Sequence, residues 1–256
     1  MTCTSELSLP SGFDWQAWVD RWDRMQKRYL VLRAERFELM VRLIKETQKS
    51  VKRVLDLGCG PGSTMRPILE AFPEAQVIGV DLDPTLLPFA RARLAKYGNR
   101  VSLILADLRE PDWSDGFPLP LDAVVSATAL HWLSGDQLAA LYSRLAQIIR
   151  PGAIFLNADH VRSESPAIQQ AWEDHREEMR RAEGYQDTED WDGFWDAYGQ
   201  ALGMDVRAVQ RRALGEYGGE ELPLSWHLDR LRASGFTSVD CFWRCDCDAV
   251  YGGLRA

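Results

Sequence analysis

The stretch "VKRVLDLGCGPGSTMRPIL", residues 51–69, decides the fold. Its first half is rich in aliphatic residues and ends in glycines at 58, 60 and 62. That pattern predicts a buried strand running into a turn. Glycines in such a turn let the backbone approach a ligand and adopt positive φ. A helix follows in STMRPILEAF, ending at Pro73. Its free N–H groups and positive dipole end point at whatever the turn holds.

Spacing separates this turn from its commoner relatives. A dinucleotide site carries G-x-G-x-x-G, whereas here the order from Asp56 is D-x-G-x-G-x-G, with Pro61 inside the turn. A nicotinamide-dependent oxidoreductase is therefore disfavoured. No G-x-x-x-x-G-K-[ST] is present either, so the turn is not a P-loop.

Strand and helix patterns alternate outward from this stretch. AQVIGVDL is a second strand, and DPTLLPFARARLAKYG a helix with Asp83 as its N-cap and Gly98 as its C-cap. RVSLILADL is a third strand, LDAVVSATAL a fourth, SGDQLAALYSRLAQIIR a helix, and GAIFLNAD a fifth strand. Near-continuous apolar strands alternating with helices imply a parallel sheet covered on both faces. PLSWHLDRLRASG then gives a helix, and FTSVDCFWR and DAVYGGLR a tightly joined, antiparallel pair of closing strands.

Two segments fall outside the alternation. Residues 13–48 read as one helix, with Trp15, Trp18, Trp22, Met25, Tyr29 and Leu32 on one apolar face. That face is expected to pack on the main body, with part of it available to line a pocket. Residues 161–222 lack a strong strand and carry Trp172, Trp191 and Trp195, and they are expected to form two or three helices over the ligand end of the sheet. The expectation is a single domain over 1–256: an N-terminal helical cap (13–48), a core (49–160), a helical lid (161–222), and a C-terminal helix and strand pair (223–256).

Composition bounds the function classes. Apolar content is 46% and charged content 27%, ordinary for a globular chain. The formal charge is -8, and residues 161–221 hold 15 Asp plus Glu against 7 Arg, enough to account for all of it. Clustered Lys and Arg, the mark of a nucleic-acid binder, are missing, so no nucleic-acid partner is expected. The acidic excess reads as a solvated surface; it disfavours a polyanionic ligand only if it faces inward. No apolar run is long enough for a membrane span, and the N-terminus lacks the features of a secretory signal. The five cysteines form no disulfide framework, so a reducing, cytoplasmic setting is expected. Cys241, Cys245 and Cys247 lack paired C-x-x-C spacing, and no metal is expected.

VLDLGCGPG, with VIGVDLDP, LILADL, DAVVSATALHWL and IIRPGAIFLNAD in that order, resembles the class I S-adenosyl-L-methionine-dependent methyltransferases. The resemblance covers roughly residues 50–160 and the last 35. It implies an α/β, Rossmann-like, doubly wound seven-stranded sheet with an antiparallel last strand and a helical cap. It implies S-adenosyl-L-methionine (SAM) as cofactor and Asp56, Gly58, Cys59, Gly60 and Gly62 as its turn. Asp81, 21 residues after Gly60, and Leu82 would meet the ribose, Asp107 and Leu108 the adenine, and Ser126 and Ala127 the methionine part. Tyr29 and Arg33 would close over the methionine carboxylate, although Arg33 also reads as a surface charge.

ALHWL is similar to the small-molecule branch that includes trans-aconitate methyltransferase. His131 there either touches substrate or packs. Asp159 and His160 end strand five at the same pocket mouth and complete the candidate catalytic set. The expected activity is methyl transfer to a small-molecule acceptor. The alternatives are a protein-directed methyltransferase and a non-catalytic SAM-binding protein of the same fold.

Overall fold

The computed structural model describes residues 12–215 and 219–256. Seven strands form one sheet in the order β3-β2-β1-β4-β5-β7-β6. They are β1 (Arg53–Leu57), β2 (Gln76–Asp81), β3 (Val101–Leu105), β4 (Leu121–Ala127), β5 (Ile149–His160), β6 (Phe236–Cys245) and β7 (Asp248–Arg255). The first five run parallel, and β7 runs antiparallel to both of its neighbours. The β6–β7 pair closes through Asp246, which takes φ +51°. From β1 the chain winds one way to β2 and β3, then crosses back to β4 and β5. That reversal opens a crevice beyond the carboxyl ends of β1 and β4, where open α/β sheets take their ligands.

The strands are aliphatic because both faces are covered. One face packs Leu55, Leu57, Val124 and Phe155 under α5 (Gly135–Ile148) and α9 (Leu224–Ala233). The other packs Val54, Val77, Ala123 and Ile154 under α2 (Arg33–Thr47) and α3 (Met65–Ala71). Helix α5 starts on a capping box, with Ser134 and Gln137 each bonding the other's backbone N–H.

Residues 13–48 are not one helix. Helix α1 (Trp15–Gln26) and α2 are separated by a turn in which Leu32 takes φ +53°. Helical hydrogen bonding cannot pass a left-handed residue, and the break lets the two helices serve different partners. Helix α2 lies on the sheet. Helix α1 instead puts Val19, Trp22 and Met25 into a separate aromatic core with Phe89 of α4 (Leu87–Leu94) and Phe194, Trp195 and Tyr198 of α7 (Trp191–Leu202). The tryptophan stripe is thus largely cap core.

Helix α4 starts later than the sequence suggests, and Asp83 does not cap it. Asp83 Oδ1 instead accepts from the Thr85 N–H at 2.8 Å and the Thr85 hydroxyl at 2.6 Å, in a local turn. The 161–222 segment holds three α-helices among its described residues: α6 (Pro166–Ala182), α7 and α8 (Val206–Leu214). Twelve of its acidic side chains, among them Glu173, Asp192 and Asp205, belong to exposed residues, while Glu177 and Glu189 are half-buried. The acidic excess therefore faces water.

Candidate active site

The turn after β1 is pinned from two sides. Gly58, Gly60 and Gly62 take φ of +62°, +49° and +73°. A Cβ on Gly58 would fall 2.3 Å from the Cβ of Ala129, which follows β4. A Cβ on Gly62 would fall 2.8 Å from Leu94 Cδ1. The turn therefore has no room for a side chain at Gly58, nor at Gly62 unless Leu94 moves. The Cys59 N–H donates to the Val80 carbonyl at 3.0 Å, which fastens the turn to β2. Burial pushes the Cys59 thiol well up, so it is a packing group here.

Asp81, at the end of β2, faces the same turn. Its Oδ2 accepts from the Gly60 N–H at 2.6 Å and its Oδ1 from the Asp83 N–H at 2.8 Å. These bonds orient the carboxylate and leave each oxygen a lone pair for a diol. Burial, partly offset by the Asp83 N–H, raises its pKa to about 6. The Leu82 N–H also donates toward this carboxylate.

Asp56 lies beneath the turn and is 1% exposed. Neither of its carboxylate oxygens has a hydrogen-bond partner. Burial, then the charge of Asp81, holds its pKa well above the usual carboxylate range. A buried, partnerless carboxyl is costly, and a bound ammonium would satisfy it. The donor set fits SAM: Asp56 for an ammonium, Asp81 for a ribose diol, and a glycine backbone between them.

The other residues assigned from the sequence divide into two groups. Ser126 is buried and donates to the Leu57 carbonyl at 2.7 Å, tying β4 to β1 rather than opening to the crevice. Ala127 packs against the aliphatic core, and Thr128 next to it takes φ +51°. A β-branched residue at positive φ is strained, and such residues concentrate at functional sites. Asp107 is held by Arg109 through contacts of 2.7–2.9 Å. Burial would raise the Asp107 pKa, but Arg109 outweighs it and the net shift is down. Leu108 packs at the edge of the sheet core.

Arg33 bonds Asp23 at 3.1 Å, and Asp23 also receives Arg93 at 2.8 and 3.0 Å. Tyr29 accepts the Trp191 N–H at 2.8 Å. Both sequence-assigned cap residues thus fasten α1, α2, α4 and α7 together.

Beyond β4 and β5 the structure brings together all three sequence-assigned catalytic candidates. His131 Nδ1 lies 2.6 Å from Asp159 Oδ1. Asp159 Oδ2 accepts the N–H groups of Leu130 and His131 at 3.0 and 3.2 Å, and Oδ1 accepts that of His160 at 2.9 Å. Burial opposes both charges, yet His131 and His160 hold the Asp159 pKa well below the usual carboxylate range. Asp159 in turn raises that of His131. The His160 ring centroid is 5.3 Å from that of His131, and His160 Nδ1 is 2.7 Å from Asp248 Oδ1. Asp248 also pairs with Arg36 at 3.2 Å, each side chain being 1% exposed.

Several of these partners escaped the sequence reading. Arg36, Met40 and Ile44 recur at i, i+4 and i+8, so an arginine stands on the buried stripe of α2, a signal that was there to be read. Asp248 looked like an ordinary strand start. Behind Asp159 a polar chain continues from Asn157 to the Tyr251 hydroxyl at 2.8 Å, to Tyr142 at 3.3 Å and to His227 Nδ1 at 2.9 Å. Cys241, Cys245 and Cys247 are free thiols, and no group of side chains arranged to hold a metal ion occurs among the described residues.

Residues 54–152 match the family model of a methyltransferase domain. The chain is 31% identical over 151 residues to trans-aconitate 2-methyltransferase of Acidovorax sp. (strain JS42), covering 55% of each protein. It is 35% identical over 133 residues to the Streptomyces avermitilis enzyme of the same name, covering 50% of this chain and 48% of that one. The chain thus spans about half the length of these curated relatives. Among solved structures, an O-methyltransferase family protein from Burkholderia thailandensis aligns over 94% of this chain and 70% of its own, with TM-score 0.55 and 18% identity. Human N-acetylserotonin methyltransferase, solved in complex with SAM, aligns over 97% and 60%, with TM-score 0.52 and 14% identity. With the fold, the glycine turn and the ordered motifs in agreement, residues 54–152 are similar to a methyltransferase domain, and the chain shares the Rossmann-like fold of SAM-dependent methyltransferases.

Proposed function

We propose that this protein transfers the methyl group of SAM to a small-molecule acceptor beneath the α6–α8 lid, in a cytoplasmic setting. The observation that carries this reading is the buried Asp56 carboxyl, without a partner, under a glycine turn faced by Asp81. When bound, SAM supplies a methyl carbon already activated by a positively charged sulfur. The chain's part is to bind, orient and exclude water. Gly58, Gly60 and Gly62 let the backbone close on the ligand, Asp56 meets its ammonium, and Asp81 its ribose.

His131 is the base in this reading. Asp159 engages its Nδ1, which leaves Nε2 to take a proton from a hydroxyl or ammonium acceptor. His160 contacts the acceptor beside it. The trans-aconitate relatives support a small-molecule acceptor by name.

The test is transfer of labelled methyl from SAM to a panel of small acceptors, scored by release of S-adenosylhomocysteine (SAH). Turnover with one class of small molecule supports the reading. Methylation of protein substrates alone would reassign the acceptor. SAH binding with no transfer to any acceptor would leave a binding protein.

A further inference from the structure

We propose that Asn157 and Tyr251 are positioning residues for the His131–Asp159 pair, and that a one-way chain of hydrogen bonds ending on His227 sets their direction. The proposal rests on reading His131 as the base.

Strand register brings the parts together. Asn157 and Asp159 are two residues apart on β5, so both side chains leave the same face of the sheet. Tyr251 of β7 lies directly across from Asn157. Tyr142 of α5 and His227 of α9 extend the chain into the covering helices. All five side chains are buried, so the direction of each hydrogen bond carries weight.

Asn157 fixes that direction. Its Nδ2 lies 2.8 Å from the Tyr251 hydroxyl and 3.4 Å from Asp159 Oδ2. An amide nitrogen has two N–H groups, one for each. Its Oδ1 has no partner. Turned over, the amide could accept the Tyr251 O–H with Oδ1, but would set that oxygen against the Asp159 carboxylate. The charge of Asp159 therefore holds Nδ2 toward itself, at the cost of a bare Oδ1.

The rest follows in order. The Tyr251 oxygen receives Asn157, which leaves its own O–H to donate to Tyr142 at 3.3 Å. The Tyr142 O–H donates to His227 Nδ1 at 2.9 Å. His227 must then offer a lone pair at Nδ1 and carry its proton on Nε2. Burial holds the His227 pKa down to about 4, so the neutral ring can do so. Asn157 cannot turn from Asp159 without reversing both tyrosines behind it. Asp159 Oδ2 also accepts the Leu130 and His131 N–H groups, and a fixed Oδ2 keeps Oδ1 aimed at His131 Nδ1. The neighbouring His160–Asp248 pair, closed at 2.7 Å, takes Arg36 as a further partner and serves as internal control.

Proton and nitrogen NMR of SAH-saturated protein tests both halves, since the chain has only 4 histidines. The Nδ1–H protons of His131 and His160, each on a carboxylate, should lie far downfield, assigned with His131→Gln and His160→Gln. Tyr251→Phe and Asn157→Leu should move the His131 proton upfield and speed its exchange with water about tenfold, as loss of one hydrogen bond predicts. The His160 proton and SAH affinity should stay as in the parent. His227→Gln still accepts from Tyr142 and should move neither proton. In the parent, His227 should show a bare Nδ1 and a protonated Nε2. The opposite tautomer overturns the chain, and it is read whether or not a variant folds. A His131 proton unmoved in whichever variant retains SAH overturns the positioning role, as does equal movement of the His160 proton. Failure of the parent to bind SAH would instead strike the methyltransferase reading itself.

Discussion

His131 Nδ1 and Asp159 Oδ1 stand 2.6 Å apart, on a carboxylate fixed by three backbone N–H groups. The pair is built from the loop after β4 and the end of β5, so the sheet itself sets its geometry. Asp159→Asn keeps the size and removes the charge. His131 is raised above its ordinary 6.5, with Asp159 the principal cause opposing burial. A base with a raised pKa loses activity as pH falls through that value. The variant's acid limb should therefore move to lower pH, while kcat falls about 100-fold and SAH affinity holds. A pH–rate profile on the acceptor found above checks this; an unmoved limb would remove His131 from the base role.

Gly58→Ala places a Cβ where Ala129 already sits, at a φ that L-residues avoid. Overpacking and left-handed strain together predict a loss of about 2–4 kcal/mol in stability. SAH binding should weaken as well, because the turn must shift. Thermal unfolding and calorimetry measure both, and a variant of wild-type stability would contradict the tight apposition of β1 and β4.

Burial pushes the His227 pKa down from 6.5 to about 4. The fold therefore prefers the neutral ring, which accepts from the Tyr142 hydroxyl. This stabilisation is complete above pH 6.5 and is lost as pH falls toward 4, a change of about 3 kcal/mol. His227→Gln retains an acceptor for Tyr142 and cannot titrate there. Its stability should vary less between pH 7 and 4 than that of the parent, as denaturant melts at several pH values would record.

Asp81, at about 6, predicts how cofactor affinity follows pH. A ribose diol donates to the carboxylate and not to the acid. Binding should therefore release a proton and tighten as pH rises from 5 to 7, then level off. Calorimetry in buffers of different ionisation enthalpy counts that proton; no buffer dependence at pH 6 would contradict it.

The glycine turn and the acid that faces it were legible because they are local. The spacing of Gly58, Gly60 and Gly62, and acids at the next two strand ends, follow from chain order alone. The sheet was legible for the same reason, since each strand announces itself by its aliphatic run. The cluster beyond β4 and β5 was not. Arg36 and Asp248 meet across 212 residues, and nothing near either names the other. The break at Leu32 could not be read because a left-handed leucine is held by tertiary contacts and has no composition signal. Arg33 reads as an arginine free to reach a carboxylate until Asp23 is found beside it. The direction of the lid's acidic face likewise depends on packing, not on composition.

A calorimetric titration with SAH, run beside NAD, on the parent and on Asp81→Ala decides whether the turn after β1 holds SAM. The parent should bind SAH at micromolar strength and give no heat with NAD, and the variant should bind SAH at least tenfold more weakly, about 1.4 kcal/mol. Absence of SAH binding by the parent, or equal affinity in the variant, would contradict SAM binding there.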